Sequence, residues 1–353
     1  MKVLRNLNLI IRPVNDLCNL DCAYCDAKER YSRDTISRVS VKRETLKKLI
    51  GDIGTSGLKT VRFTWHGGEP LLLPDDFYED VFEMQAGLSG VEYPNTFQTN
   101  GLLLDEKRIL LFKKHGVAIG FSLDGNRHEH NAYRFPDKER FEALMANIRL
   151  AKKLGLRFSV IMVAHDKNVR EIGKICDFMA ELAPPNGFIV SPLFLGQGAL
   201  APLTIRPDDF SEFLRTLYDK LELLPGLPCN YVYAVKKGLG GGVPKMCFFS
   251  GRCANFVSIN GAGDMFSTCH ENSRYFLGNI DQASLSELLK KHLEVYSSEI
   301  EPQFAGRSIY REMGGDPSLI YFQGKGCTRR LVDGLDPYFR SYTDLIRYAQ
   351  KKK

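Results

Sequence analysis

Cys18-Asn19-Leu20-Asp21-Cys22-Ala23-Tyr24-Cys25 sets three thiols on one short loop, directly after the apolar run Leu9-Ile10-Ile11, which reads as a buried strand. Cysteine thiolates are the usual ligands of a cubane iron–sulfur cluster, and four close it. Three thiolates therefore leave one iron open, and an open metal position is where a substrate or cofactor binds. A zinc knuckle or an accidental grouping also satisfies three cysteines, so the surroundings of the loop decide the reading.

Outward from that loop, the first two-thirds of the chain alternates short apolar runs with amphipathic helical patterns. Strands are expected near 8–13, 60–65, 95–99, 117–122, 157–163 and 187–193, with helices near 43–53, 75–88, 106–115, 138–154 and 169–182. Repeated strand–helix units argue for a parallel sheet. Six units are too few to close an eightfold barrel, and parallel barrels carry their chemistry at the C-terminal ends of the strands.

Motifs fall at those ends. His66-Gly67-Gly68-Glu69-Pro70 follows the second strand, where two glycines let the backbone approach a ligand closely, and Glu69 or nearby carbonyls can accept hydrogen bonds from an ammonium. Gln98-Thr99-Asn100-Gly101 follows the third strand. Ser122-Leu123-Asp124-Gly125 follows the fourth, with Arg134 ten residues after Asp124. An arginine fork suits a carboxylate, although a turn and a surface cation are the plain alternative.

At 353 residues the chain can bury a large core, and 44% hydrophobic and 25% charged residues are ordinary for a soluble globular protein. The net charge of +6 comes partly from Lys351-Lys352-Lys353, read as a solvated tail, and supports no nucleic-acid partner. The opening residues lack the apolar core of a signal peptide, and no run is long enough to span a bilayer, so a cytoplasmic location and no membrane partner are expected. In that compartment grouped cysteines suggest metal or catalysis before disulfides. Of the nine, Cys18, Cys22 and Cys25 form one group, and Cys247, Cys253, Cys269 and Cys327 a second; Cys176 reads as a buried inert thiol and Cys229 is left over.

The later stretch begins with Thr204 to Phe210, which opens a helix that Thr204 or Asp208 can cap and whose face carries Phe210, Phe213, Leu214 and Leu217. Asn230-Tyr231-Val232-Tyr233 reads as a short strand, and Gly238-Leu239-Gly240-Gly241-Gly242 as a flexible loop without a phosphate-loop lysine. Phe256 to Ile259, the turn Asn260-Gly261 and Met265 to Cys269 read as a hairpin that brings Cys253 and Cys269 toward one end. Cys327 must return from a distance to complete four thiolates. Such a closed set fits an electron-carrying cluster, a structural zinc or unpaired core cysteines.

Taken together, CxxxCxxC, HGGEPLL, QTNG, SLDG, RPDDF and Leu277-Gly278-Asn279-Ile280 make the chain resemble the radical S-adenosylmethionine (SAM) enzymes, within them the SPASM subgroup and its anaerobic sulfatase-maturating enzymes. The resemblance implies an open partial (β/α)6 barrel with a C-terminal α+β auxiliary-cluster domain, the units being 1–203 barrel, 204–240 linking helix and strand, 241–335 auxiliary domain and 336–353 helix and basic tail. It implies SAM on an open 4Fe-4S cluster held by Cys18, Cys22 and Cys25, with the GGEP residues Gly67, Gly68, Glu69 and Pro70 at its amino group. Ser122 falls at the ribose, Arg134 at the carboxylate, and Tyr24 and Leu195 at the adenine. Asn100 and Asp124 complete the cofactor-binding candidates.

One departure stands out. The sulfatase maturases carry a second auxiliary cluster built from a dense run of cysteines, and no cysteine lies between Cys269 and Cys327 here. One auxiliary 4Fe-4S cluster, on Cys247, Cys253, Cys269 and Cys327, is therefore expected. The aspartate that those enzymes place beside the third hairpin cysteine as a base is also missing; His270 and Glu271 follow Cys269 and are the candidate bases.

These features lead to the expectation of a radical SAM enzyme that oxidatively modifies a precursor peptide, forming a cyclophane, ether or thioether crosslink. Its partners would be an electron donor such as flavodoxin or ferredoxin, and a separate leader-binding protein or the barrel rim to hold the leader. The rival readings are a formylglycine-generating sulfatase maturase, a dehydrogenase of a small sugar or aminocyclitol, and a non-enzymatic iron–sulfur electron carrier.

Overall fold

The computed structural model describes residues 4–25, 39–193, 202–224, 226–240, 253–268, 275–300 and 336–352. Six parallel strands alternate with helices in chain order. They are β1 (Asn6–Ile11), α1 (Arg43–Thr55), β2 (Thr60–Trp65), α2 (Asp75–Ala86), β3 (Asn95–Thr99), α3 (Glu106–Lys114), β4 (Ala118–Ser122), α4 (Lys138–Lys153), β5 (Arg157–Ala164), α5 (Ile172–Leu182) and β6 (Phe188–Pro192). After these come α6 (Pro207–Glu222), α7 (Asn230–Leu239), β7 (Phe256–Ile259), β8 (Asp264–Phe266), β9 (Phe276–Asn279), α8 (Leu285–Val295) and α9 (Asp336–Lys351).

Among the described residues one sheet runs in the order β6-β5-β4-β3-β2-β1-β7-β8-β9. Each of the first six strands lies beside its sequence neighbour in parallel, as strand–helix–strand connections require. Ile11 stands opposite Trp65, Trp65 opposite Phe97, and Thr99 opposite Phe121, so the loops after these strands leave from one rim. That rim carries the candidate site.

The two faces of these strands differ in chemistry. On one face Trp65, Phe97 and Phe121 are fully buried, and rings on α2 and α3 meet them: Tyr78 lies edge-on to Trp65 at 5.4 Å, and Phe112 lies 4.6 Å from Phe97. Each such ring contributes about 1.5–3 kcal/mol of burial, enough to make this face the core. The Trp65 indole N–H reaches Asn95 Oδ1 at 2.9 Å, and Asn95 in turn donates to Gln85 Oε1 at 2.7 Å, so the polar atoms carried inside are satisfied. On the other face Thr64, Thr96, Gln98 and Ser122 are only half-buried. Gln98 Nε2 donates to Ser122 Oγ at 2.9 Å across this polar face.

Local sequence explains the helix starts. Asp105 and Asp137 cap α3 and α4 by accepting the backbone N–H of Arg108 at 2.8 Å and of Arg140 at 2.9 Å, and Ser284 with Glu287 forms a reciprocal capping box on α8. Within 169–182, residues 169–171 form a 3₁₀ turn and the α-helix starts at Ile172.

Several expectations need correction. Asn230 to Tyr233 is not a strand but the first turn of α7, which extends through Gly238 and Leu239, the start of the expected glycine loop; Gly241 and Gly242 lie outside the described residues. Tyr231, Val232 and Val235 are buried at helical spacing, and four residues cannot distinguish that period from a strand's. The linking region is therefore helix after helix. Neither Thr204 nor Asp208 caps α6: Arg206 is the N-cap, no side chain makes the cap bond, and Pro207 starts the helix because its fixed φ suits the first turn. Phe210, Phe213, Leu214 and Leu217 are buried as expected.

Lys351 and Lys352 of the basic tail are exposed, as expected of a solvated tail, and Lys351 ends a helix that packs on α6. Tyr348 on α9 donates to Asp219 on α6 at 2.6 Å, and Lys352 also bonds Asp219. The hairpin of β7 and β8 forms as expected, and β7 continues the barrel sheet by pairing in parallel with β1.

Candidate active site

The cysteine loop leaves the C-terminal end of β1, beside the turn after β2. Two backbone hydrogen bonds join them, Gly68 N–H to the Asn15 carbonyl at 2.7 Å and Glu69 N–H to the Leu17 carbonyl at 2.8 Å. Contact this close excludes a side chain. A Cβ on Gly68 would fall 1.9 Å from the Leu17 oxygen, and one on Gly67, where φ is +107°, 2.5 Å from the Asn15 oxygen. The glycines expected to admit a ligand thus first admit the cysteine loop itself. Pro70 starts a short 3₁₀ turn, and its carbonyl accepts the Tyr78 hydroxyl at 2.6 Å, which ties the motif to the core.

Glu69 is buried, and its carboxylate is engaged within the protein. Oε1 accepts from Thr99 Oγ1 at 2.7 Å and from the Leu71 N–H at 3.0 Å, while Oε2 accepts from the Asn100 N–H at 2.9 Å. Burial pushes its pKa up, and the hydrogen bonds from Asn100, Leu71 and Thr99 oppose that push. Of the two acceptors considered for an ammonium, the carboxylate clamps the loops after β2 and β3. Asn100 carries the clamp onward, donating to Asn19 Oδ1 at 2.7 Å and standing 3.9 Å from Cys18 Sγ.

On the opposite flank, Tyr24 is buried with its hydroxyl donating to Asp124, and the Arg134 guanidinium lies 5.4 Å from the Tyr24 ring centroid. Arg134 Nη2 donates to Asp124 Oδ1 at 3.3 Å. Burial works against the Arg134 charge, but Asp124 and then Tyr24 outweigh it and keep the guanidinium protonated. The Ala23 N–H donates to the Tyr133 carbonyl at 2.6 Å, so the segment between β4 and α4 grips the cysteine loop by its backbone as well. Ser122 stands at the end of β4 as the acceptor of Gln98.

None of the three thiols is in a disulfide, and all are half-buried. Burial pushes the Cys18 thiol up to about 12; the Leu20 N–H lowers it, and Glu69, Cys22 and Cys25 raise it again. Thiolates that oppose one another's ionisation need a cationic partner, which a cluster supplies. Among the described residues no three His, Cys, Asp or Glu side chains converge on a single ion site. A cubane meets each thiolate through a different iron and needs no such convergence, so the donor set fits a cluster.

The turn after β7 reaches this rim: Asn15 Oδ1 accepts the Gly261 N–H at 2.6 Å, and the Arg12 N–H meets the Ile259 carbonyl at 2.9 Å. Because Phe256 stands opposite Asn8 and Ile259 opposite Ile11, the 3₁₀ turn that Cys253 starts lies at the other end of β7. Cys247, Cys269, Cys327, His270, Glu271 and Leu195 lie outside the described residues, as does the side chain of Cys253.

Sequence reading missed three contributors: Thr99, whose hydroxyl holds Glu69; Asn168, whose Nδ2 donates to the Asp124 carbonyl at 2.9 Å; and His165, whose ring lies 5.8 Å from that of Tyr24. His165 directly follows β5, so the strand-end rule alone would have flagged it.

Residues 13–179 match the model of the radical SAM superfamily, and they include the cysteine loop, the glycine turn, Asp124 and Arg134. The chain thus carries a radical SAM domain and the radical SAM fold. It is 28% identical over 316 residues to a serine-type anaerobic sulfatase-maturating enzyme of Bacteroides thetaiotaomicron, covering 80% of this chain and 74% of that one. A cysteine-type anaerobic sulfatase-maturating enzyme of Clostridium perfringens is 24% identical over 368 residues, covering 97% and 96% of the two chains. Among solved structures, native anSMEcpe with bound AdoMet and Kp18Cys peptide superposes with a TM-score of 0.78 at 22% identity, covering 98% of this chain and 97% of that chain. Streptococcus suis SuiB bound to S-adenosylmethionine superposes at 0.62 with 15% identity, over 92% and 77%. At these identities the solved structures speak for the fold. No helix among the described residues is long and apolar enough to cross a membrane.

Proposed function

We propose that this radical SAM enzyme removes two hydrogens from a peptide side chain, turning a serine Cβ into an aldehyde, or a cysteine Cβ into a thioaldehyde that water converts to the aldehyde with release of hydrogen sulfide, as a sulfatase maturase does. The observation that carries the reading is the cysteine loop locked between the glycine turn and Asp124, in a chain that aligns with a cysteine-type sulfatase maturase over nearly the full length of both. The maturase relatives favour this oxidation over the crosslink that the sequence suggested. A sugar dehydrogenase and an electron carrier have no relative among those described.

Cys18, Cys22 and Cys25 would hold the open cluster. The backbone beside Gly67 and Gly68 and the Arg134 guanidinium would take the ammonium and carboxylate of SAM, with Tyr24, Asn100, Ser122 and Leu195 around the rest. Bound there, SAM and the reduced cluster supply a radical that removes one hydrogen atom from the substrate Cβ. His270 or Glu271 would accept the proton lost as the new double bond forms, and Cys247, Cys253, Cys269 and Cys327 would hold an auxiliary cluster, which would supply an acceptor for the remaining electron. Arg134 is already buried and charged, so a carboxylate gains a preorganised partner without reorganisation. A flavodoxin or ferredoxin would supply the reducing electron.

The test is anaerobic incubation of the reconstituted enzyme with SAM, dithionite and serine- or cysteine-containing sulfatase peptides, followed by mass spectrometry and hydrazide capture of the aldehyde. Capture supports the reading. A product that has lost two hydrogens but does not react with hydrazide returns the assignment to crosslinking.

A further inference from the structure

Cysteine loop, strand β5 and the segment after β4 meet at one fully buried carboxylate. Asp124 Oδ1 accepts the Val163 N–H at 2.9 Å and Arg134 Nη2 at 3.3 Å, and Oδ2 accepts the Tyr24 hydroxyl. Its backbone is held too, because its N–H donates to Asn131 Oδ1 at 2.8 Å and its carbonyl accepts Asn168 Nδ2 at 2.9 Å. Every direction of movement is opposed by a partner.

Resting on the reading of Arg134 as the carboxylate partner, we propose that Asp124 is a positioning residue: it makes no contact with SAM but aims the Arg134 guanidinium and pins Tyr24, so that the cysteine loop and the carboxylate subsite are held as one unit. The guanidinium shows the division of labour. Nη2 is committed to Asp124, whereas the buried Nε has no hydrogen-bond partner among the described residues. A planar fork held at one nitrogen keeps its remaining N–H groups oriented for a second carboxylate. Tyr24 shows the coupling. It lies between Cys22 and Cys25, its hydroxyl is anchored on Asp124, and its ring is bounded by Arg134 at 5.4 Å, His165 at 5.8 Å and Tyr133 edge-on at 6.4 Å. A ring gripped on all these sides transmits the place of Asp124 directly to the two thiols that flank it.

The experiment measures SAM binding by calorimetry on the anaerobically reconstituted protein, with iron content and thermal unfolding in parallel. Asp124→Ala is expected to weaken SAM binding about tenfold or more, the scale of a lost outer hydrogen bond at a cofactor site. Asp124→Asn should recover most of that loss, because its amide oxygen still accepts from Val163 and Arg134. In an Arg134→Ala background the loss from Asp124→Ala should shrink to that of Tyr24→Phe, the part carried through the cysteine loop. A folded Asp124→Ala that binds SAM within about twofold of wild type overturns the proposal. So does an equal loss with Arg134 already absent, which would mean that Asp124 does not act through Arg134. If Asp124→Ala does not fold, Tyr24→Phe, which removes one hydroxyl from the same network, should weaken binding severalfold, and unchanged affinity would again overturn the proposal. No peptide enters the measurement, so its failure leaves the Cβ oxidation standing, whereas a wild type that binds no SAM defeats the parent reading itself.

Discussion

Two flanks hold the same loop by different physics. On the β2 side the grip is backbone to backbone, with Gly68 and Glu69 donating to Asn15 and Leu17 and no room for a Cβ. On the β4 side it is a buried network of side chains, Tyr24, Asp124, Arg134, Asn131 and Asn168. Backbone contact has almost no tolerance, since the opposing atom cannot rotate away. A side-chain network is graded, and each member can be weakened alone. The β2 flank therefore behaves as a lock, and the β4 flank as an adjustable support.

That contrast predicts an order of severity. Gly68→Ala should have the largest effect, because its Cβ would meet a carbonyl oxygen at 1.9 Å. Production of 5′-deoxyadenosine should cease, and iron content should drop by about four per chain, the content of one cubane; normal 5′-deoxyadenosine release would remove the lock. Asp124→Ala comes next. It leaves a buried guanidinium without its counter-charge, and chemical denaturation should show a loss of about 3–5 kcal/mol. Glu69→Gln keeps the shape but sets an amide donor against one of the Leu71, Thr99 or Asn100 donors, for about 1–3 kcal/mol, read as a shifted denaturation midpoint at unchanged slope.

Protonation sharpens the comparison further. His130, His165 and His292 are fully buried, and burial lowers each pKa. Folding therefore favours their neutral forms: stability is complete above the unfolded value of about 6.5 and declines as pH falls through it, since the unfolded chain then binds more protons. His130 and His165 sit on the β4 flank, where the His165 ring N–H reaches the His130 carbonyl at 3.1 Å. Denaturation at about pH 5.5 against about pH 7.5 should show the loss, and equal midpoints would contradict it. Lys352→Ala, far from both flanks, removes an exposed contact to Asp219 and should leave the melting temperature unchanged.

How much of this was legible follows from the range of each interaction. The six strand–helix units, the cysteine loop and the glycine turn are local patterns, and each appeared where the periodicity placed it, within a few residues. Asn230 to Tyr233 failed because a four-residue apolar stretch carries too little period to separate strand from helix. Glu69 was legible as important but not as a clamp, because its partners Thr99 and Asn100 lie thirty residues or more away in the chain. Asp124 looked like a turn residue or a ligand contact. Nothing in Ser122-Leu123-Asp124-Gly125 announces Tyr24, a hundred residues earlier, as its partner.

Sequence by itself determined the kind of chemistry, since three thiols at CxxxCxxC spacing and a glycine turn one strand later are statements about residue type and local distance. Only the tertiary structure decided what those residues touch: that the glycines seat the cysteine loop, that Glu69 clamps two loops, and that Asp124 joins Arg134 to Tyr24. Side chains brought together from separate strands leave no pattern along the chain, because each partner is chosen by the barrel's register and each strand's sequence is constrained mainly by its own burial.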